Sequence, residues 1–170
     1  MADKPLTGKI DPQRIVMRDI PRPLADGHRS VPGAHGSCGN GVRAMYELGI
    51  DAAIPAAVLN PMLPGARMVG PAVTVRNIRQ SEPPTLGAME RRSKQADLEA
   101  HNLAGPGDVI VIEGAVDVSS LGGNSCTLGH RQGEAGAIID GADRRRAGEC
   151  WRRGDRQRQR AVHRAARAQS

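Results

Sequence analysis

Residues 105–142 constrain the fold more than any other stretch, because apolar runs alternate there with glycine-rich breaks at the spacing of strand, turn, helix and strand. Gly105, Pro106 and Gly107 form a breaker cluster, and Val109 to Ile112 is a β-branched run suited to a strand buried on both faces. Gly122 and Gly123 turn the chain, Asn124 or Ser125 is placed to cap a helix, and that helix runs through Leu128 to Arg131 until Gly133 stops it. Ala135 to Ile139 is the second apolar run, closed by Gly141. The spacing predicts a β-turn-α-β unit with parallel strands and a right-handed crossover. Such a unit sets a helix N-terminus at the carboxyl end of a strand, where free amides and the helix dipole attract anions.

The chain has 170 residues, one domain by length and long enough to bury a core. With no Phe, one Trp (Trp151) and one Tyr (Tyr46), that core must be built from Val, Ile, Leu, Ala and Met. The formal charge of +6 suggests nucleic acid until it is located. Ten of the 24 basic residues but only three of the 18 acidic ones fall in residues 143–170, which leaves 14 basic and 15 acidic residues before them. The body is close to neutral, and only the tail is basic. Cys38, Cys126 and Cys150 are far apart and form no C-x-x-C pair, which predicts reduced thiols and argues against a disulfide framework or a zinc knuckle. The N-terminus carries no apolar leader and no apolar run approaches the ~18 residues that span a bilayer, so the reading is a cytoplasmic protein without a membrane segment.

Residues 1–37, rich in Pro, Gly, Arg and Asp, read as an extended arm with at most a short helix. The glycine-rich stretch Gly36 to Gly41 reads as a flexible entry to a short amphipathic helix carrying Val42, Met45, Tyr46 and Leu48, with Gly49 as its stop. It lacks the Lys-Ser/Thr of a phosphate loop. Ile50 to Pro64 suits a connection, and Val69 to Val75 a strand with Gly70-Pro71 as a bulge or edge position. Leu86, Met89, Leu98 and Leu103 punctuate a charged segment from Glu90 to Ala100, which predicts a surface helix with a solvated face. His28, His35, His101, His130 and His163 form no H-E-x-x-H or H-x-H spacing and read as solvated or loop residues. Cys126 reads as a small packing residue that lends its backbone N–H, Asp108 as a turn residue, and Asp140 as a residue able to line a site. No G-x-G-x-x-G follows a strand, so a nucleotide site of the dehydrogenase kind has no support.

Three blocks in order carry a resemblance: Gly65-x-Arg-x-Val-Gly-Pro-Ala-Val-Thr-Val-Arg76, Gly105-Pro-Gly-Asp-Val-Ile-Val-Ile-Glu-Gly114, and Gly123 followed at a fixed interval by Gly133-x-x-Gly-x-Ile-Ile-Asp-Gly-Ala142. Over roughly residues 40–142 the chain resembles the RraA-like family, which includes the 4-hydroxy-4-methyl-2-oxoglutarate aldolases, related oxaloacetate decarboxylases and the regulator of ribonuclease E activity. The resemblance implies an α/β fold, the swivelling β/β/α domain, incomplete here at its C-terminus. It implies a homotrimer or hexamer with sites where subunits meet, a small 2-oxo acid as substrate, and a divalent cation, Mg2+ or Mn2+, as cofactor. The family signature Gly-x20-Arg-Asp, counted from Gly123, makes Arg144 the catalytic, substrate-gripping arginine, and Gly123, Asn124, Ser125 and Cys126 the segment that holds the substrate. Such chemistry suits these residue types, since amides receive a carboxylate or enolate and an arginine forks onto the far end.

Two positions depart from the signature. The acidic residue expected after its glycine is Asn124, and the metal-binding aspartate is Arg145, whose guanidinium has no lone pair for a cation. No metal ligand is therefore assigned in this chain. From Asp143 onward apolar periodicity stops, and the composition is what a GC-rich gene gives when read out of frame. The expected organisation is an arm over 1–37, the RraA-like domain over 38–142, and a disordered or non-native arginine-rich tail over 143–170. The rival for the tail is an arm binding nucleic-acid phosphates, weakened by its single aromatic residue and the lack of a recognisable module. The rival for the whole is a non-catalytic regulator that binds a ribonuclease or another protein.

Overall fold

The computed structural model describes residues 4–18, 37–51, 53–55, 57–61, 67–90, 95–115, 119–140 and 161–165; at Ser37, Cys38, Asn60, Pro84 and 161–165 only the backbone is described. The elements are a 3-10 turn at Pro12–Arg14, α1 (Ser37–Glu47), β1 (Leu59–Pro61), β2 (Ala72–Arg76), α2 (Pro84–Met89), α3 (Ala96–Leu103), β3 (Val109–Glu113), α4 (Gly123–Gln132), β4 (Gly136–Asp140) and β5 (Ala161–Ala165). They form one sheet in the order β1-β5-β4-β3-β2, parallel from β2 through β5 and antiparallel only between β5 and β1. The β3-α4-β4 unit is the one the sequence predicts, with parallel strands at the expected places.

The register explains the core. Val73, Ile110 and Ala137 lie opposite one another, as do Val75, Ile112 and Ile139, so two apolar rows share one face of the sheet. Ala100 and Ala104, in and just after α3, and Cys126 of α4 cover those rows, together with Leu121. On the other face the row Thr74, Val111, Ile138 is exposed at Thr74 and half-buried at the other two. The expectation of a strand buried on both faces therefore holds in part: Ile110 and Ile112 bury one face fully, whereas the other is buried at Val109, half-buried at Val111 and exposed at Glu113.

Backbone geometry fixes the ends of the unit. Gly133 takes φ 81, the left-handed conformation that closes α4, its amide donating to His130 O and that of Glu134 to Gly129 O. Gly49 closes α1 by the same pattern, with Ile50 N donating to Met45 O. Gly70 is needed for a different reason: a Cβ there would stand 2.0 Å from the carbonyl oxygen of Gly107. The chain crosses itself at that point, where Pro71 O accepts from Val109 N.

Three sequence expectations change. The helix α1 begins at Ser37, so Gly39 and Gly41 lie inside it, where each costs about 1 kcal/mol relative to alanine, and not in an entry loop before it. The charged segment divides into α2 and α3, with 91–94 outside the described residues. And α3 is not a solvated surface helix, because Glu99, Ala100 and His101 are buried. The arm supplies part of that cover. Thr7 donates to the Glu99 carboxylate from both its amide and its hydroxyl, Asn102 Nδ2 donates to Pro5 O at 2.9 Å, and Lys4 Nζ donates to Ala104 O and Gln132 Oε1. Residues 161–165, within the segment expected to be disordered or non-native, pair as β5 along β4 and β1.

Candidate functional site

The loop from β3 returns at Leu121, which is 1% exposed and anchors in the core, and α4 starts immediately after it. Because α4 follows β3 and precedes β4 in a parallel arrangement, its N-terminus stands at the carboxyl end of both strands. Gly122 is the N-cap, in extended conformation and without a side chain to bond the helix amides. The first intrahelical bond runs from Cys126 N to Gly122 O, 3.0 Å. The amides of Gly123, Asn124 and Ser125 precede that bond and have no partner within the helix. Gly123 and Asn124 are exposed, whereas Ser125 and Cys126 are 7% and 1% exposed.

The structure thus brings four of the five predicted residues into one turn, and it corrects two of their roles. Neither Asn124 nor Ser125 caps the helix, since the chain enters one residue earlier through Gly122. The Cys126 amide is spent on Gly122 O inside the helix, so it is not lent to a ligand, while the Cys126 side chain packs in the core as expected. Arg144 and Arg145 lie outside the described residues.

Ser125 directs its hydroxyl across to α3, donating to Asp97 Oδ2 at 2.8 Å. Asp97 sits in the first turn of α3, where a carboxylate is favoured by that helix's dipole. Sequence reasoning missed this residue because it falls in a run of alternating charges and its partner is 28 positions away. Beyond the turn, Arg76, Glu113 and Asp140 end β2, β3 and β4 in one cross-strand row. Arg76 Nε meets Glu113 Oε2 at 3.2 Å, with both side chains more than half exposed, a pair worth little to stability in water.

The opposite end of the sheet holds a different polar group. His101, expected to be solvated, is fully buried with Glu134, its Nδ1 2.8 Å from Glu134 Oε1, while its Nε2 has no partner. The pairing arises because the Gly133 turn aims Glu134 back under α3, an encounter 33 residues long in sequence. Asp108 serves its turn as predicted, Oδ2 accepting from Gly105 N at 2.8 Å. Glu99 has a lowered pKa: burial by itself would raise it, but hydrogen bonds from the Thr7 hydroxyl and amide and from Asn102, with the charge of Lys9, outweigh burial. His130 is half-buried in α4, His163 contributes only described backbone, and His28 and His35 lie outside the described residues.

Among the described residues no group of three or more His, Cys, Asp or Glu side chains converges as a donor set for a divalent cation. Asn124 is neutral, Asp97 is engaged with Ser125, and position 145 carries an arginine. Among the described residues, no helix is long and apolar enough to cross a membrane.

A family model described as RraA-like: Aldolase/RraA matches residues 35–148. The fold is similar to that of an uncharacterized protein from Pseudomonas syringae pv. tomato str. DC3000, with TM-score 0.58 and 19% identity over 90% of this chain and 62% of that one. It is also similar to a crystal structure described as novel cellulases from microbes associated with the gut ecosystem, with TM-score 0.56 and 18% identity over 92% of this chain and 64% of that one. At these identities the likeness is one of fold alone, and the chain spans less than two thirds of either structure. No curated protein sequence matches.

Proposed function

The chain belongs to the RraA-like family, and on that premise we propose that it is a lyase acting on small 2-oxo acids, cleaving 4-hydroxy-4-methyl-2-oxoglutarate to pyruvate with oxaloacetate decarboxylation as a related activity. The observation that carries this reading is the uncapped turn Gly123-Asn124-Ser125 at the carboxyl end of β3 and β4. Three amides without helix partners, reinforced by the α4 dipole, form a receptor for a carboxylate or for the negative charge that develops on an enolate. Both reactions break a carbon–carbon bond next to a 2-oxo acid and leave the same pyruvate enolate, so one anion receptor serves both. In this reading Arg144 forks onto the other end of the acid, a role carried by its place in the sequence signature. On the same reading the protein acts in the cytoplasm as a homotrimer or hexamer.

The family is generally metal-dependent; the described residues of this chain would contribute binding and charge stabilisation. The test is pyruvate release from oxaloacetate, coupled to lactate dehydrogenase, with and without Mg2+. Turnover that Arg144→Ala lowers by about 100-fold or more supports the lyase, a loss of the size seen on removing one group that stabilises developing charge.

A second reading is favoured by two specific positions, Asn124 and Arg145, which remove both acidic groups of the signature. On that reading the chain is a non-catalytic regulator of a ribonuclease or another protein. Absence of turnover both in the chain and in an Arg145→Asp variant supports it.

A further inference from the structure

The Asp97–Ser125 pair joins the first turns of two helices at the lip of the sheet, and the proposed reaction leaves it unused. Ser125 is the third residue of α4, where a serine side chain is able to fold back on its own backbone and compete for the free amides. Here its hydroxyl proton is committed to Asp97 Oδ2 at 2.8 Å instead, and at 7% exposure the side chain has little room to leave. Asp97 is in turn held by its place in the first turn of α3. Two neighbouring helix N-termini therefore share one carboxylate.

We propose that Asp97 is a positioning residue for the Gly123-Asn124-Ser125 turn: by accepting the Ser125 hydroxyl it keeps the three amides uncapped and aimed at a carboxylate, while its own charge limits how tightly that anion is held. The proposal rests on the reading of that turn as a carboxylate receptor. The two effects of Asp97 have opposite sign, and this separates it from a residue that merely supports the fold. Alanine removes both the acceptor and the charge. Asparagine keeps an acceptor oxygen for Ser125 and removes only the like charge.

The experiment is calorimetric titration of the full chain with oxalate, a planar mimic of a 2-oxo acid enolate, for the native sequence, Asp97→Ala, Asp97→Asn and Ser125→Ala, with thermal midpoints to verify folding. Asp97→Ala and Ser125→Ala are expected to weaken oxalate binding about tenfold, the size of a lost hydrogen bond to a charged group. Asp97→Asn is expected to bind at least as tightly as the native chain. Native affinity in a folded Asp97→Ala, or equal weakening in Asp97→Ala and Asp97→Asn, overturns the proposal. If Asp97→Ala does not fold, the contrast between Ser125→Ala and Asp97→Asn decides in the same way. No oxalate binding by the native chain removes the carboxylate-receptor reading itself, a result distinct from native binding that ignores Asp97.

Discussion

The two ends of the parallel strands use similar polar residues for opposite purposes. At the amino end, Asp108 bonds its own turn, Glu134 meets His101, and Lys4 and Thr7 of the arm bind Ala104, Gln132 and Glu99. His101, Asp108 and Glu134 are all 0% exposed there. At the carboxyl end, Gly123 and Asn124 are exposed, Arg76 and Glu113 stand in solvent, and among the described residues three helix amides are left uncapped. Buried polar groups are stabilising when partnered, as Asp108, Glu134 and His101 Nδ1 are, so the amino end belongs to folding, whereas the exposed turn at Gly123 and Asn124 is open to a ligand.

Mutations at equivalent chemistry should therefore have unequal consequences. The largest effect is expected for Glu134→Ala, which strands the buried His101 Nδ1 and should cost about 3 kcal/mol in urea unfolding, the upper end for a buried polar group left without its partner. A loss below about 1 kcal/mol would mean that His101 finds water or another partner, and the contrast between the ends would fail. Next is Gly70→Ala, whose methyl would press on Gly107 O; overpacking of this kind costs about 1–3 kcal/mol, read as a lower unfolding midpoint with unchanged slope.

A smaller effect depends on pH. Because the Glu99 pKa is lowered in the folded chain, its contribution is fully present above its ordinary value of 4.5 and is lost as pH falls through the lower folded value. Stability followed from pH 6 downward should fall more steeply in the native chain than in Thr7→Ala, and parallel curves would show that the arm does not hold Glu99. The smallest effect on stability is expected at the other end: Asn124→Ala, which keeps the backbone amide at an exposed position, should change it by less than about 0.5 kcal/mol. A stability loss as large as that of Glu134→Ala would erase the distinction.

Much of the β3-α4-β4 unit was legible in the sequence, because strand and helix periods and the Gly133 stop are local signals. The clustering of Gly123, Asn124 and Ser125 was legible for the same reason, being one helical turn. What misled was also local. Alternating charge from Glu90 to Ala100 suggested a solvated face, yet Glu99 and His101 are buried by contacts with Thr7 and Glu134, which lie 92 and 33 residues away in sequence. The cap went to Gly122 and not to Asn124 or Ser125, because Leu121 anchors the loop and fixes where the chain enters the helix.

By itself the sequence determined the identities and periods of the elements in residues 105–140, since those depend on side-chain alternation and glycine breaks within a few residues. It also carried the family signature and its two departures at Asn124 and Arg145. Only the tertiary structure decided which polar groups were consumed and which were left open: His101 against Glu134, Glu99 against the arm, Ser125 against Asp97. Those pairings depend on strand order and on both helices packing on one face of the sheet, and no spacing along the chain encodes a distance between residues that meet only when the sheet has formed.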